Sequence, residues 1–418
     1  MANFIGLECI RCGRPPENNQ VFDGCNHCLM EGFTVNYKTV YNYKTVENTK
    51  VSWQRQEPGI WRFRKHLPIK DSTRPITLDE GNTPLLHLKR LGDKLGFDQL
   101  YIKDESRNPT WSYKDRLCSV AVTRAVEDGA KVITISSTGN HGASAAAYAA
   151  AANIPCVIFT IPQVPQTMKT LMQAYGAYVV AAPTPKDRWD IMRQCVKEYG
   201  WVPISGYVYP PIGSNPYGID GYKTISFEIF EKLDRAPDFV AVPSAYADGL
   251  YGTWRGMVEL AEMGLIDRTP KMVASEVFGS LKQTLAEKSK EPVAVTSDSS
   301  VSFSIAGPLG TYQGLTALLE SDGLAEISTD SETMEMQKLL ASTEGIYAEA
   351  ASVTSLVAVS KLNKAGKIKR SDTVVAVITS TGLKDPAETA KHFPPVPLIN
   401  PELGELSKVL KKDYDYSI

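Results

Sequence analysis

Lys114 stands in a stretch, residues 108–116, whose residue types could give a lysine amine unusual reactivity. The Asn-Pro pair at its start predicts a turn, because proline fixes its own φ and biases the preceding residue away from helix. Ser112 could cap the following helix, which predicts Lys114 in the first helical turn, where the dipole disfavours a cation. An apolar site beside Trp111 would further favour the neutral amine, the form that makes a Schiff base with an aldehyde. The alternative is an ordinary surface lysine among charged neighbours.

Four of the seven cysteines form two Cys-x-x-Cys pairs near the N-terminus. Two such pairs supply four thiolates able to converge on one tetrahedral zinc ion. Gly13 and Gly24 are placed to turn the chain at each pair. The pattern predicts a structural zinc site in a ribbon-like module, with a reduced, metal-free cluster as the alternative. The predicted ligands are Cys9, Cys12, Cys25 and Cys28.

The composition is that of an ordinary globular protein, with 418 residues, 43% of them hydrophobic and 22% charged. A net charge of −2 gives no electrostatic reason to expect a nucleic-acid or membrane partner. The N-terminus lacks the basic and apolar regions of a signal peptide, and the Ala-rich run at 143–152 is too short to span a membrane. We therefore expect a cytoplasmic protein, in which the other cysteines are buried free thiols: Cys118, Cys156 and Cys195.

Short β-branched runs alternate with helical patterns along most of the chain. Such alternation predicts parallel strands with helices on both faces, and ligands then bind at the carboxyl ends of the strands. Strands are predicted at residues 99–103, 132–135, 156–160, 178–181, 239–242, 271–274 and 373–378, and helices at 166–175, 186–199 and 250–263. Three loops at strand ends stand out: 136–142, 243–249 and 378–383.

The order of these segments resembles the threonine synthase group of the fold-type-II pyridoxal-phosphate (PLP) enzymes. The resemblance implies a tryptophan synthase beta-like fold of two α/β domains, with parallel and mixed sheets flanked by helices. It also implies PLP in the cleft, a homodimer, and an N-terminal cysteine module. The segments that carry it are 61–63, 80–85, 108–116, 136–142, 221–224, 344–346 with Glu349, and 379–386.

The resemblance also implies a role for individual residues. Lys114 is the Schiff-base anchor and then the base at the substrate Cα. Asn140 bonds the phenolic oxygen of PLP, and Thr379 presents a neutral hydroxyl to its pyridine nitrogen. The loop at 136–142 faces the substrate, and its small residues let backbone amides bind a carboxylate. The implied substrate contacts are Ser137, Thr138, Gly139, His141 and Trp111, and the implied phosphate cup is Ala245, Tyr246, Ala247, Asp248 and Gly249.

The phosphate cup departs from the family pattern, because only Gly249 remains where glycines are expected. Side chains at positions that need positive φ cost about 1 kcal/mol or more each. Asp248 also places an anion beside the phosphate of the cofactor. The cup therefore either survives with altered geometry or binds PLP less tightly.

Two departures bear on the substrate. Gly218 stands where the synthases usually carry a phosphate-binding arginine, and Trp111 stands where they usually have glycine, which should narrow the pocket. Both favour β-elimination, of the dehydratase or deaminase type, or β-replacement on a smaller or uncharged amino acid. Threonine synthase acting on O-phosphohomoserine is the main alternative, with Arg255 or Lys223 holding the phosphate. A second alternative is an inactive PLP-fold protein that acts as a binding module.

The sequence also suggests a division of the chain into five segments. The cysteine module is followed by an arm, at 36–74, that we expect to cross the body of the protein or a neighbouring subunit. The segments are 1–35, the cysteine module; 36–110, the arm and part of the large domain; 111–205, the small α/β domain; 206–395, the large α/β domain with the phosphate cup; and 396–418, a C-terminal tail.

Overall fold

The computed structural model describes residues 3–17, 21–42 and 57–418. The chain divides into two compact units, Met1–Lys384 and Asp385–Ile418. The predicted arm includes positions 43–56, which lie outside the described residues, so its course stays a prediction. The five-segment division also stays a prediction.

Twelve strands are found in the described part of the chain. All seven predicted strands are among them and begin and end within two residues of their predicted limits, because β-branched runs bounded by turn residues favour strands. The twelve strands are β1 (Phe4–Cys9), β2 (Tyr37–Tyr41), β3 (Leu85–His87), β4 (Gln99–Asp104), β5 (Ile133–Ser136), β6 (Cys156–Thr160), β7 (Tyr178–Ala181), β8 (Val202–Pro203), β9 (Phe239–Pro243), β10 (Lys271–Glu276), β11 (Leu324–Ile327) and β12 (Thr373–Ile378). Five of these were not predicted: β1, β2, β3, β8 and β11.

Fifteen α-helices occur in the same residues, and the three predicted helices are among them. Short 3₁₀ turns at Gly59–His66, Glu105–Arg107, Asp220–Tyr222, Phe303–Ile305 and Gly382–Lys384 complete the set. The helices are α1 (Asn26–Met30), α2 (Lys89–Leu95), α3 (Lys114–Glu127), α4 (Asn140–Ala151), α5 (Gln166–Ala174), α6 (Pro185–Tyr199), α7 (Pro216–Ile219), α8 (Lys223–Leu233), α9 (Asp248–Glu262), α10 (Ser280–Glu287), α11 (Tyr312–Glu320), α12 (Asp330–Glu344), α13 (Ala350–Lys364), α14 (Pro386–Ala390) and α15 (Leu403–Tyr414).

The described residues of the first unit form three sheets. A six-stranded sheet has the order β11-β10-β9-β12-β4-β3 and is parallel except for its edge strand β3. A four-stranded sheet, β7-β6-β5-β8, is parallel throughout. β1 and β2 form a small antiparallel pair. The predicted α/β fold with parallel and mixed sheets flanked by helices is confirmed.

The central strand β12 shows why the six-stranded sheet is covered on both faces. All six of its residues are buried. Val375 and Val377 pack into one hydrophobic cluster, whereas Val374 and Ala376 pack into another. Because successive side chains of a strand point to opposite faces, a continuous apolar run needs helices on both sides.

A buried ionic network fixes the start of α3. The Arg116 guanidinium donates to Glu105 at 2.6 and 2.8 Å and to Glu228 at 2.7 and 3.0 Å. Lys103 Nζ also donates to Glu228, at 2.7 Å. The positive neighbours hold the pKa values of both carboxyl groups below their usual range, although burial alone would raise them. A buried pair of this kind is costly to break from one side, so it holds the first turn of α3 in place.

The second unit is small. It holds α14 and α15, and α15 has no buried residue. In the part of the chain that the structure describes, no helix is both long and apolar enough to cross a membrane.

Candidate active site

A cavity of about 150 Å³ lies where loops from both large sheets converge. The loops after β5, β9 and β12 all reach it, as expected for the carboxyl ends of parallel strands. The structure brings almost all of the predicted site residues into its wall. Those that line it are Lys114, Ser137, Thr138, Gly139, Asn140, His141, Ala245, Tyr246, Ala247, Asp248, Gly249 and Thr379.

Lys114 is the first residue of α3 and lines the cavity. Its ammonium nitrogen lies 5.0 Å from the ring centre of Tyr113 and 5.8 Å from that of Tyr222. The N-cap position is Tyr113 and no side chain caps the helix there. The predicted cap, Ser112, instead accepts a hydrogen bond of 3.3 Å from the Lys114 N–H.

The protonation of Lys114 differs from the prediction. Burial lowers its pKa, but interactions with Tyr113 and Asp248 outweigh burial, and the net pKa is raised. The expectation of a neutral amine is therefore wrong for the chain without a ligand. The sequence around the lysine contains no hint of Asp248, which reaches the site from a distant loop.

Among the predicted cofactor and substrate contacts, Trp111 alone is absent from the cavity wall formed by the described residues. Its side chain is 45% exposed. Its φ of 59° is in the left-handed region that favours glycine, the residue expected here in the synthases. The indole therefore does not narrow the cavity described here.

The loop between β9 and α9 keeps the features of an anion cup. Within the described chain, no acceptor is found for the backbone N–H groups of residues 245–249. These groups lie at the N-terminus of a 15-residue helix, where the dipole favours an anion. Gly249 is required there, because a Cβ would approach a ring carbon of Tyr113 to 2.5 Å. Residues 245–249 thus offer donors for a phosphate.

The predicted costs of the altered cup are only partly realised. Ala247 has a φ of 57°, whereas Ala245 and Tyr246 do not have positive φ. The Asp248 carboxylate accepts hydrogen bonds from the N–H of Ser214 at 2.9 Å and from Gln313 Nε2 at 2.6 Å. Among residues 245–249, only Ala247 has a strained backbone. The Asp248 carboxylate already accepts hydrogen bonds from neutral donors.

The Ser137 hydroxyl holds the shape of the loop at 136–142, which follows β5. Ser137 Oγ accepts hydrogen bonds from the N–H groups of Gly139 at 3.2 Å and Gly142 at 2.9 Å. A Cβ on Gly142 would lie 2.7 Å from the sulfur of Met172, so glycine is needed for this close packing. Among the described residues, the N–H groups of Thr138, Asn140 and His141 have no acceptor. They are free to bind a carboxylate at the start of α4.

The Asn140 side chain is fixed at both ends of its amide. Its Nδ2 donates to Glu349 at 2.7 Å, and its Oδ1 accepts from Lys384 Nζ at 2.6 Å. Burial lowers the pKa of Lys384 to about 8, although Glu349 raises it in part. Sequence reasoning did not assign Lys384 a role. Its place in the segment 379–386 was the one sign that it belongs to the site. Its contact with Asn140 could not be predicted, because more than two hundred residues separate the two in the sequence.

Thr379 and His141 differ in the hydrogen bonds that their side chains make. The Thr379 hydroxyl lies 2.8 Å from Ser352 Oγ and still faces the cavity. His141 Nε2 is buried without a hydrogen-bond partner in the described chain. Burial lowers the pKa of His141 well below its usual range, so the imidazole is neutral at neutral pH.

The cations expected to replace the missing arginine do not line the cavity. Lys223 is fully buried and donates to Glu259 at 2.9 Å, and Arg255 lies 3.6 Å from the same carboxylate. Gly218 packs against α3, where a Cβ would meet that of Ala121 at 2.9 Å. Arg188, on α6, does line the cavity, and sequence reasoning missed it because its neighbours form an ordinary helix pattern.

The four predicted zinc ligands also converge, at a separate place. Cys9 and Cys28 have their sulfur atoms 3.5 Å apart, and those of Cys12 and Cys25 are 3.7 Å apart. All four sulfur atoms lie within 4.8 Å of one another. A zinc–sulfur bond of about 2.3 Å gives a tetrahedron with sulfur–sulfur edges of about 3.8 Å. The cluster therefore has the size and donors for one tetrahedral zinc.

The two glycine turns and the three cysteines outside the cluster are as predicted from the sequence. Gly13 and Gly24 have φ values of 71° and 85° beside the two cysteine pairs. The three remaining cysteines are buried and free: Cys118, Cys156 and Cys195.

Comparison with known protein families gives one match that covers most of the chain. The model of the family described as pyridoxal-phosphate dependent enzyme matches residues 76–380.

Curated relatives that match the chain are named threonine synthase. The protein from Methanocaldococcus jannaschii is 34% identical over 417 residues, which cover 97% of this chain and 99% of the relative. That from Mycobacterium leprae is 35% identical, with 82% of this chain and 93% of the relative covered. That from Bacillus sp. is 36% identical, with 78% and 89% covered.

Solved structures share the fold at lower sequence identity. The processed form of threonine deaminase isoform 2 from Solanum lycopersicum superposes with a TM-score of 0.62 at 19% identity, covering 79% of this chain and 82% of that one. Diaminopropionate ammonia lyase from Escherichia coli gives a TM-score of 0.64 at 15% identity, covering 75% and 88%.

Proposed function

Because the chain belongs to the pyridoxal-phosphate dependent enzymes, we propose that it catalyses β-elimination or β-replacement on a small amino acid through Lys114. Family membership confirms the resemblance seen in the motifs, with PLP as the cofactor. The observation that carries the proposal is the cavity itself, which holds a lysine amine and two sets of backbone N–H groups that have no acceptor among the described residues. One set suits a phosphate and the other a carboxylate.

The residues of the cavity fit PLP. The backbone N–H groups of residues 245–249 would hold its phosphate at the start of α9. Lys114 would hold its aldehyde carbon, and the Thr379 hydroxyl would meet its pyridine nitrogen. Asn140 would face its phenolic oxygen, with the amide kept in place by Lys384 and Glu349. When bound, the cofactor supplies an electron sink for a carbanion at the substrate Cα.

The chain supplies the binding and proton-transfer groups. The N–H groups of Thr138, Asn140 and His141 would bind the substrate carboxylate and so orient its Cα towards Lys114. The lysine amine, once deprotonated, would take the Cα proton. Neutral His141 does not serve as the acid at neutral pH, since burial lowers its pKa well below that range. Lys114 is therefore the group we assign to proton transfer at Cα.

Threonine synthase activity on O-phosphohomoserine is the second candidate. The names of the relatives favour it, at identities over 30% across most of the chain. The arginine expected at position 218 is replaced by a glycine that packs against α3. A synthase of this sequence would have to hold the phosphate in another way.

An inactive binding module is less well supported. Lys114, Asn140 and Thr379 line one cavity, although they come from distant parts of the chain. A binding module has no chemical need for this combination.

Two further features belong to the proposal. We infer that the four cysteines bind a structural zinc ion, since their sulfur atoms are spaced like the corners of a zinc tetrahedron. We also infer a homodimer, which rests on the resemblance of the motifs alone.

Product analysis tests the reaction. The purified protein with PLP is supplied separately with L-serine, L-threonine and O-phospho-L-homoserine. The proposal predicts a keto acid and ammonia from a small amino acid, or a replacement product when a thiol is added. Lys114→Ala should abolish turnover. Threonine formed only from O-phosphohomoserine would favour the second candidate, and PLP binding without turnover of any amino acid would favour the binding module.

A further inference from the structure

Tyr113 places a phenol hydroxyl near two parts of the cavity. The residue is 8% exposed and lines the cavity. A Cβ on Gly249 would lie 3.3 Å from the Tyr113 hydroxyl oxygen, so this oxygen lies beside the second residue of α9. Lys114 is a second neighbour, with its ammonium nitrogen 5.0 Å from the centre of the Tyr113 ring. Burial lowers the pKa of Lys114, and the interaction with Tyr113 helps to outweigh this effect.

Hydrogen-bond chemistry fixes the direction of the contact with Lys114. An ammonium group only donates, whereas a phenol hydroxyl both accepts and donates. The Tyr113 oxygen is therefore the acceptor, and its proton is left for a different group. Asp248, which also interacts with Lys114, already accepts three hydrogen bonds, from Ser214 and Gln313. An acceptor brought by a ligand would complete the hydrogen bonding of Tyr113.

Tyr222 packs against Tyr113 and provides its matched control. The two ring centres are 4.8 Å apart. Tyr222 is fully buried and is absent from the cavity wall formed by the described residues. Burial raises the pKa of Tyr222 well above its usual range, and Tyr113 adds to this effect, so Tyr222 stays a neutral phenol. Its hydroxyl is the competing acceptor for the Tyr113 proton.

The start of α9 is rich in donors and suits an anion. The N–H groups of residues 245–249 have no acceptor in the described chain, and the dipole of the helix favours negative charge there. A phosphate offers strong acceptor oxygens, and hydrogen bonds to them are charge-assisted. The Tyr113 hydroxyl, beside Gly249, can add a side-chain donor to this backbone set.

We propose that the Tyr113 hydroxyl donates a hydrogen bond to the phosphate of PLP, and that in the cofactor-free chain it accepts one from the Lys114 ammonium. This inference rests on the proposed function and deepens it. It adds a side-chain donor to a phosphate cup that otherwise consists of backbone N–H groups. One hydroxyl then contacts both the cup and the lysine that would hold the cofactor.

Equilibrium binding of PLP and of pyridoxal, which lacks the phosphate, tests the inference. The signal is the change in tryptophan fluorescence, since Trp189 lines the cavity. Tyr113→Phe keeps the aromatic ring and removes only the hydroxyl. Tyr222→Phe makes the same change in the neighbouring ring. Urea unfolding of the two variants and the wild type shows that all three are folded under the binding conditions.

Tyr113→Phe should weaken PLP binding roughly ten- to a hundredfold, as expected for loss of a hydrogen bond to a charged group. Pyridoxal binding to this variant, and binding of both ligands to Tyr222→Phe, should change less than about threefold, because no bond to a phosphate is lost. Equal losses for PLP and pyridoxal in Tyr113→Phe would overturn the inference and leave the hydroxyl to Lys114 alone. Unchanged PLP binding would overturn it too. An equal loss of PLP binding in Tyr222→Phe would overturn it by assigning the effect to the packing of the two rings.

Failure of the proposed function would be seen separately. If the wild-type chain binds no PLP, that proposal fails, and inorganic phosphate binding to the cofactor-free chain then tests Tyr113. Phosphate binding that is weakened in Tyr113→Phe but kept in Tyr222→Phe would retain the hydroxyl as an oxyanion donor. Phosphate binding that does not depend on Tyr113 would overturn it. If the wild type binds PLP but turns over no amino acid, only the proposed reaction fails, and the ratio of PLP to pyridoxal affinity still decides the role of Tyr113.

Discussion

The cavity and the cysteine cluster are both built from loops, but different forces hold their functional atoms. In the cavity, buried side chains of the protein hold the loops in place. Ser137 does so for the loop at 136–142, and Arg116 for the start of α3. In the cysteine cluster, four sulfur atoms face one another at 3.5 to 3.7 Å between nearest partners. Thiolates so close repel each other unless a cation lies between them.

This difference separates a site that the folded chain completes by itself from one that a bound metal ion would complete. The contacts between them include neutral hydrogen bonds and apolar packing. A Cβ on Gly24 would meet Ile212, which lines the cavity, and Asn36 donates to the carbonyl of Ser214 at 3.0 Å. Loss of the metal should therefore affect the cavity weakly, and loss of the ionic network should affect it strongly.

The largest effect is expected from Arg116→Met. It leaves Glu105 and Glu228 buried without their main counter-charge, which should lower the free energy of unfolding by about 3–5 kcal/mol. Urea unfolding measures the change. Arg370→Met is the matched control, since its pair with Asp98 is exposed and should contribute less than about 1 kcal/mol. A loss for Arg116→Met no larger than that of the control would contradict the role of the network.

The same network predicts a sign for the pH dependence. The pKa values of Glu105 and Glu228 are lowered in the folded chain, where Arg116 and Lys103 outweigh the effect of burial. The stability they contribute is present above the usual carboxyl pKa and is lost as the pH falls through the lowered values. Acid should therefore destabilise the wild type more than Arg116→Met. A parallel loss in both proteins would argue against this linkage.

A smaller effect is expected from removing the metal. We expect about one zinc ion per wild-type chain, and Cys25→Ser should abolish its binding and expose the N-terminal module to protease. PLP affinity should fall by no more than roughly tenfold, because the link to the cavity through Asn36 is a single neutral hydrogen bond. Cys195→Ala, at a buried thiol outside the cluster, should keep the zinc. Zinc retained in Cys25→Ser would contradict the proposed zinc site. Complete loss of PLP binding would contradict the weak link between the cysteine cluster and the cavity.

The smallest effect is expected from Lys384→Met, inside the cavity framework. Since burial lowers the pKa of Lys384 to about 8, its ammonium is charged below that pH and neutral above it. The absorption spectrum of bound PLP should then change near pH 8 in the wild type, because Lys384 holds Asn140. Lys384→Met should lack this step, and kcat/KM below pH 8 should fall roughly tenfold.

The outcome for Lys384→Arg separates charge from packing. This variant stays charged at all accessible pH values, so it should lack the step near pH 8 but keep more of the activity than the methionine variant. An unchanged step in both variants would assign it to another group.

The sequence predicted the loops of the site better than their electrostatics. Residues 136–142 and 243–249 were located because they follow β-branched strands, and parallel strands bring their carboxyl ends together. The raised pKa of Lys114 was missed, since Asp248 and Tyr113 enter it through tertiary structure. Arg188 was missed for a related reason. Whether a helical arginine is paired depends on contacts between sheets, which local patterns do not contain.

The prediction for Trp111 was wrong about its direction. Its position before the lysine suggested a side chain in the pocket, but the φ of 59° turns the chain so that the indole is exposed. The cysteine cluster was predicted more fully, because the spacing of Cys-x-x-Cys pairs restricts how four sulfur atoms can meet.

The central claim is that Lys114 carries the cofactor. The near-ultraviolet and visible absorbance of the purified protein with PLP tests it, with Lys114→Ala and the exposed Lys197→Ala measured in parallel. The proposed function predicts a visible band from lysine-bound PLP in the wild type and in Lys197→Ala, and none in Lys114→Ala. A band that persists in Lys114→Ala, or no band in the wild type with excess PLP, would contradict it.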